Sequence, residues 1–135
     1  MSLLDINMDD IPDLKLLDDG DEVTLQIRKV QEVPVRSDPG RRQLKITLDD
    51  PTDELVDDMI TYLPILEAAD KEADPKSYAK AAGRWKDFCK CFGVNTDGGI
   101  DTDSLPGLEG SCIIGIEDDP QYKRKNVVRA FVTGK

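Results

Sequence analysis

Pro75-Lys76-Ser77-Tyr78-Ala79-Lys80-Ala81-Ala82-Gly83-Arg84-Trp85-Lys86-Asp87-Phe88-Cys89-Lys90-Cys91-Phe92 decides how this chain folds. Its apolar residues Tyr78, Ala81, Ala82, Trp85, Phe88, Cys89 and Phe92 recur in steps of three and four. That spacing draws one apolar stripe along an α-helix. Asp74 suits the N-cap and Pro75 the first helical position. Gly93 follows the stripe and suits a left-handed C-terminal cap. Lys76, Lys80, Arg84, Lys86 and Lys90 lie off the stripe. Such a helix must lay its stripe on a sheet or across the end of a barrel.

Before the helix the period changes from 3.6 to two. In Glu22 to Val33, Val23, Leu25 and Ile27 alternate with Thr24, Gln26 and Arg28, the pattern of a half-buried strand. Pro34 is expected to end that strand, with Ser37-Asp38-Pro39-Gly40 forming a turn. Gln43 to Asp49 reads as a second strand with Leu44, Ile46 and Leu48 inward, so the two form a hairpin tipped by Arg36, Arg41 and Arg42. Met59 to Leu63 reads as a third strand closed by Pro64. The connection Ile65 to Asp74 has room for a helical turn.

After the helix a loop runs to about Gly110. Ser111 to Asp118 reads as the fourth strand, with Cys112, Ile114 and Ile116 on one face. Asp118 to Lys125 reads as a turn with a basic, aromatic tip. Asn126 to Val132 is the fifth strand, with Val128, Ala130 and Val132 expected inward and Val127, Arg129 and Phe131 outward. Three strands, a helix and two strands is the order of the OB-fold. The expected architecture is therefore mainly β, a five-stranded Greek-key barrel with one main helix between strands 3 and 4. Residues 17–135 form this domain, and 1–16 an acidic arm of aspartates and scattered aliphatics, interrupted by Pro12.

The chain carries 28 acidic and 18 basic residues, a formal charge of −10. The charge is laid out in blocks: residues 1–22, 49–74 and 93–119 are acidic, whereas 23–48, 75–92 and 120–135 are basic. A groove can be basic on a protein that is acidic overall, because the local field decides what it attracts. The same blocks also suit a plain solvated surface. No run approaches the roughly 18 apolar residues of a membrane span, and no secretory pattern opens the sequence. Three cysteines, an odd number, fit free thiols in a reducing compartment, so a cytoplasmic protein without membrane attachment is expected.

Catalysis is not expected. The chain has no histidine, which removes the commonest general base and any Ser-His or Cys-His pair. Cys89 and Cys91 are two apart on a helix, point to nearly opposite sides and have no second ligand pair, so no metal site is expected. Asp97, Asp101 and Asp103 lack the closing glutamate of a calcium loop. Gly107-x-x-Gly110 is not followed by the Lys-Ser/Thr of a phosphate loop. No cofactor is implied.

What remains is basic and aromatic. Arg28, Lys45, Arg129 and Phe131 project outward from strands able to share a face. Arg36, Arg41 and Arg42 sit on the first hairpin loop, and Tyr122, Lys123, Arg124 and Lys125 on the loop between the last two strands. OB-folds grip oligonucleotides through these two loops, with cations tracking phosphates and aromatic rings stacking bases. Tyr62 is a further stacking candidate. Each charge could equally be a solvated strand face, and Phe131 core beneath the N-terminal arm.

Several segments resemble bacteriophage-encoded single-stranded-DNA-binding proteins of the OB-fold type. They are Leu17-Asp18-Asp19-Gly20-Asp21-Glu22-Val23 before the first strand, Phe88-Cys89-Lys90-Cys91-Phe92-Gly93-Val94 at the helix end, Leu105 to Ile116, and Tyr122-Lys123-Arg124-Lys125-Asn126-Val127-Val128. The resemblance spans about residues 17–132. It implies a protein of the host cytoplasm that coats single-stranded DNA in replication and recombination, self-associates and meets phage or host replication proteins. Such binders often end in an acidic recruiting tail, whereas this sequence ends Val132-Thr133-Gly134-Lys135 and carries its acid in 1–22 and in the middle. The alternatives are an acidic OB-like protein-interaction module and a DNA mimic, neither of which would bind nucleic acid directly.

Overall fold

The computed structural model of the chain describes residues 13–119 and 123–133. Five strands and one main helix build it: β1 (Glu22–Val35), β2 (Asp38–Asp49), β3 (Met59–Pro64), a short α1 (Ala68–Ala73), α2 (Pro75–Phe92), β4 (Glu109–Asp119) and β5 (Lys123–Phe131). The strands form one sheet in the order β3-β2-β1-β4-β5, and every hydrogen-bonded neighbour is antiparallel. The outer strands β3 and β5 come together at the back, so the sheet curls into a barrel-like form.

The helix forms as its sequence dictates. Asp74 accepts from the Ser77 amide, Pro75 occupies the first turn, and Gly93 takes φ 65°, with its N–H returned to the Cys89 carbonyl. The stripe buries Phe88, Cys89 and Phe92 against the sheet. Leu25, Ile27, Leu44, Ile46 and Leu48 meet it from β1 and β2, as the alternation predicts. Trp85 Nε1 donates to the Pro64 carbonyl at 2.6 Å, so the indole packs and still satisfies its N–H.

Three expectations fail, each for a local reason. Pro34 does not end β1. It pairs with Arg42 inside a longer hairpin that turns only at Arg36 and Ser37. β4 pairs with β1 only over Glu22–Gln26, so the distal half of β1 has strand pairing on one side alone, where a proline's missing N–H is tolerated. Arg41 and Arg42 therefore belong to β2, and Arg36 alone sits at the tip.

Second, β5 begins at Lys123, so Lys123, Arg124 and Lys125 are strand residues paired with Asp119, Asp118 and Glu117. Third, Phe131 faces inward. Register slips between Ile113↔Ala130 and Ile114↔Val128, leaving Arg129 as an extra residue in β5. That bulge resets the alternation. Val128 and Phe131 both pack on the core while Ala130 is exposed. Phe131 meets Phe88 edge-on at 5.6 Å and Phe92 at 6.2 Å. A second slip, between Ile27 and Lys29, bulges β1 at Arg28.

Phe131→Ala should cost about 3 kcal/mol in urea unfolding, the scale of a phenylalanine truncated in a core. A loss under about 0.5 kcal/mol, the scale of a surface substitution, would put the ring outside the core.

Candidate nucleic-acid interface

The outward face of the hairpin is set by the β2 alternation. Lys45 projects between Tyr62 of β3 and Gln31 of β1, and Thr47 between Ile60 and Lys29. Tyr62 is 45% exposed and Ile60 43%. Beside them, where β3 and β5 meet without a hydrogen-bonded ladder, a cleft of about 330 Å³ opens. Tyr62 and Ile60 line one wall, Arg124, Lys125, Asn126 and Val127 the other, and Asp57 and Asp58 the end of β3.

A strap from the N-terminal side bounds this cleft. Lys15 bridges Val56 in parallel and its amide donates to the Leu55 carbonyl at 2.7 Å. Two residues on, the Leu17 amide donates to Asn126 Oδ1 at 2.8 Å, and Asn126 Nδ2 donates back to the Leu17 carbonyl at 2.9 Å. The strap thus ties the β3 side to β5 and leaves Leu14 and Leu16 largely exposed along the cleft. Among the described residues, Leu14, Leu16, Ile60 and Tyr62 are four of the five exposed large hydrophobics. Their gathering at one place makes a patch, which scattered surface leucines do not.

Most predicted cations are held by carboxylates. Arg28 reaches Asp58 at 2.8 Å, Arg41 reaches Asp70 at 2.9 Å and Arg42 reaches Glu32 at 3.3 Å. Arg124 lies 3.5 Å from Asp118, and Arg129 lies 2.8 Å from Asp19, its guanidinium folded over Gly115 where a Cβ would collide with it. Arg36, Lys45 and Lys125 have no ion pair among the described residues. Tyr122 lies outside the described residues, and so does the side chain of Lys123.

The structure therefore brings together Tyr62, Lys45, Arg124 and Lys125. Arg129 lies over β4 rather than in the cleft, Arg41 is drawn to α1, and Phe131 is core. Lys29, Ile60, Leu14 and Leu16 belong to the face or the cleft and escaped sequence reading. Lys29 had a signal: two consecutive cations followed by Val30 break the alternation, as a bulge does. Neither a family model nor a curated protein matches this chain.

The strap is anchored on a carboxylate. Asp53 takes a hydrogen bond from Lys15 at 2.7 Å and another from the Leu55 amide at 3.1 Å. Lys15 first, and the amide second, hold its carboxyl below the usual range. A lowered folded pKa means that this anchoring is complete above the ordinary carboxylate value of about 4 and is lost as pH falls through the folded value. In an NMR titration from about pH 6 to 2, the Lys15 amide resonance should move with an apparent pKa below that of a free aspartate. Asp53→Asn should abolish the movement; an inflection at the free-aspartate value would mean that the anchor does not form.

Proposed function

We propose that the protein is an OB-fold module that binds single-stranded DNA across the β2–β3 face and into the cleft between β3 and β5. The observation that carries this reading is the convergence of Tyr62, Lys45, Arg124 and Lys125, drawn from β2, β3 and β5, beside the exposed apolar patch. The strand order and the approach of β3 to β5 support the barrel assignment, and oligonucleotides bind OB-folds on the face of their second and third strands. Tyr62 offers a ring for stacking on an unpaired base. Ile60, Leu14 and Leu16 offer apolar surface to further bases, and Lys29, Lys45, Arg124 and Lys125 follow the phosphates. An apolar, aromatic floor favours single strands, because a duplex hides its base faces.

The pairing of Arg28, Arg41, Arg42, Arg124 and Arg129 with carboxylates favours a second reading, an interaction module for a protein partner. The two readings differ in direct affinity for DNA. Anisotropy of a labelled oligo-dT of about 30 nucleotides should show binding that duplex does not compete away. Three or four phosphate contacts predict a loss of about 20- to 50-fold between roughly 50 and 200 mM salt. Tyr62→Ala should weaken binding by about tenfold or more, within the range for one stacked base. No binding at micromolar protein in low salt would overturn the DNA reading and leave the protein-partner one.

A further inference from the structure

Away from the cleft, the last turn of α2 meets the start of β4, and there two cysteines converge. A Cβ at Gly110 would fall 2.5 Å from the Cys91 carbonyl oxygen and 2.7 Å from Cys91 Sγ. The Cys91 sulfur thus occupies the space that a side chain at 110 would fill. Cys112, two residues along the same strand and so on the same face, shares a side-chain hydrogen bond with it. Cys91 Sγ also donates to the Ser111 carbonyl at 3.1 Å. Cys112 is fully buried, whereas Cys91 is half-buried and lines a surface depression of about 380 Å³ with Thr24, Lys90, Glu109 and Thr133. Cys89, on the opposite side of α2, lines a different hollow with Trp85 and Val94.

We propose that Cys91 and Cys112 form a thiol pair that reacts with small-molecule disulfides, Cys91 as the accessible attacking thiol and Cys112 as the resolving one. The Cys91 thiolate attacks one sulfur of the reagent, the reagent's S–S bond breaks, and one half leaves as a thiolate. The Cys112 sulfur then attacks Cys91 in the mixed disulfide. The second half departs and takes up the Cys112 proton. Two electrons pass from the protein thiols to the reagent, giving one intramolecular disulfide and two small thiols. The environments match these roles. A hydrogen bond from Cys112 draws the Cys91 thiol below its usual range, while that same bond and burial push Cys112 far up. The order of attack follows from access, since Cys91 lines the surface depression whereas Cys112 is fully buried. The product would staple α2 to β4.

The sequence makes the test clean. Trypsin cuts after Lys90 and after Lys123 with no site between, so Cys91 and Cys112 share one peptide, 91–123, while Cys89 lies in 87–90. The native protein is incubated with oxidised glutathione, then denatured, alkylated and digested. Peptide 91–123 should be lighter by two hydrogen atoms and unalkylated, with Cys89 alkylated. Cys91→Ser should leave Cys112 in its reduced, alkylatable form, and Cys89→Ser should change nothing in peptide 91–123. Full alkylation of all three cysteines in the wild-type protein would overturn the proposal. So would a glutathione adduct that persists on Cys91 beside a free Cys112.

Discussion

Everything in this fold leans on the contact between the α2 stripe and Phe131. Phe88 is fully buried, with Phe92 at 5.0 Å and Phe131 at 5.6 Å between ring centroids. Arg84, one turn earlier on the helix, donates to the buried Thr61 hydroxyl at 2.7 Å and lies 5.1 Å above the Phe131 ring. One helix thus holds β3 through Thr61 and Pro64 and β5 through Phe131. These are the two strands at opposite ends of the sheet order, which no ladder joins. Side-chain packing replaces backbone pairing at the seam. The open sheet can therefore curl into a barrel-like form while both edges keep a gap between them.

That gap explains where the candidate interface lies. Two strand edges that do not pair leave backbone groups in need of partners. The strap crosses the opening between them, held by the Lys15 amide on the Leu55 carbonyl ahead of β3 and by the exchange of the Leu17 backbone with the Asn126 side chain on β5. It covers the seam without filling it. The remaining cleft is bounded by β3 and β5, and its exposed apolar residues stand where a closed ladder would have left no opening.

The charge blocks of the sequence acquire a different meaning in three dimensions. Cations of 23–48 meet acids of 49–74 in the Arg28–Asp58 and Arg41–Asp70 pairs. Cations of 120–135 meet the other acidic blocks through Arg124–Asp118 and Arg129–Asp19. The blocks complement one another. Each exposed pair contributes little stability, but together they quench the field that the basic segments would carry alone. A strand binder of this composition must lean more on stacking than on phosphate neutralisation.

What was legible in the sequence was what repeats. The α2 stripe, its Asp74 and Gly93 caps and the inward residues of β2 follow periods that nothing interrupts. What was hidden was the interruption itself. Each bulge adds one residue to a strand, at Arg28 and at Arg129, and a period-two reading carried past it assigns every later residue to the wrong face. Phe131 read as a surface aromatic for this reason alone. Ion pairing was illegible for another reason: Asp19 and Arg129 are 110 residues apart, and only the β4–β5 hairpin folded beside the first turn brings them together. The site residues that sequence reading identified and the structure gathers, Tyr62, Lys45, Arg124 and Lys125, come from segments where the strand register runs without a slip. Local periodicity locates a surface residue only as far as the nearest bulge, so the part of the candidate interface that the sequence could reveal is the part built on unbroken strands.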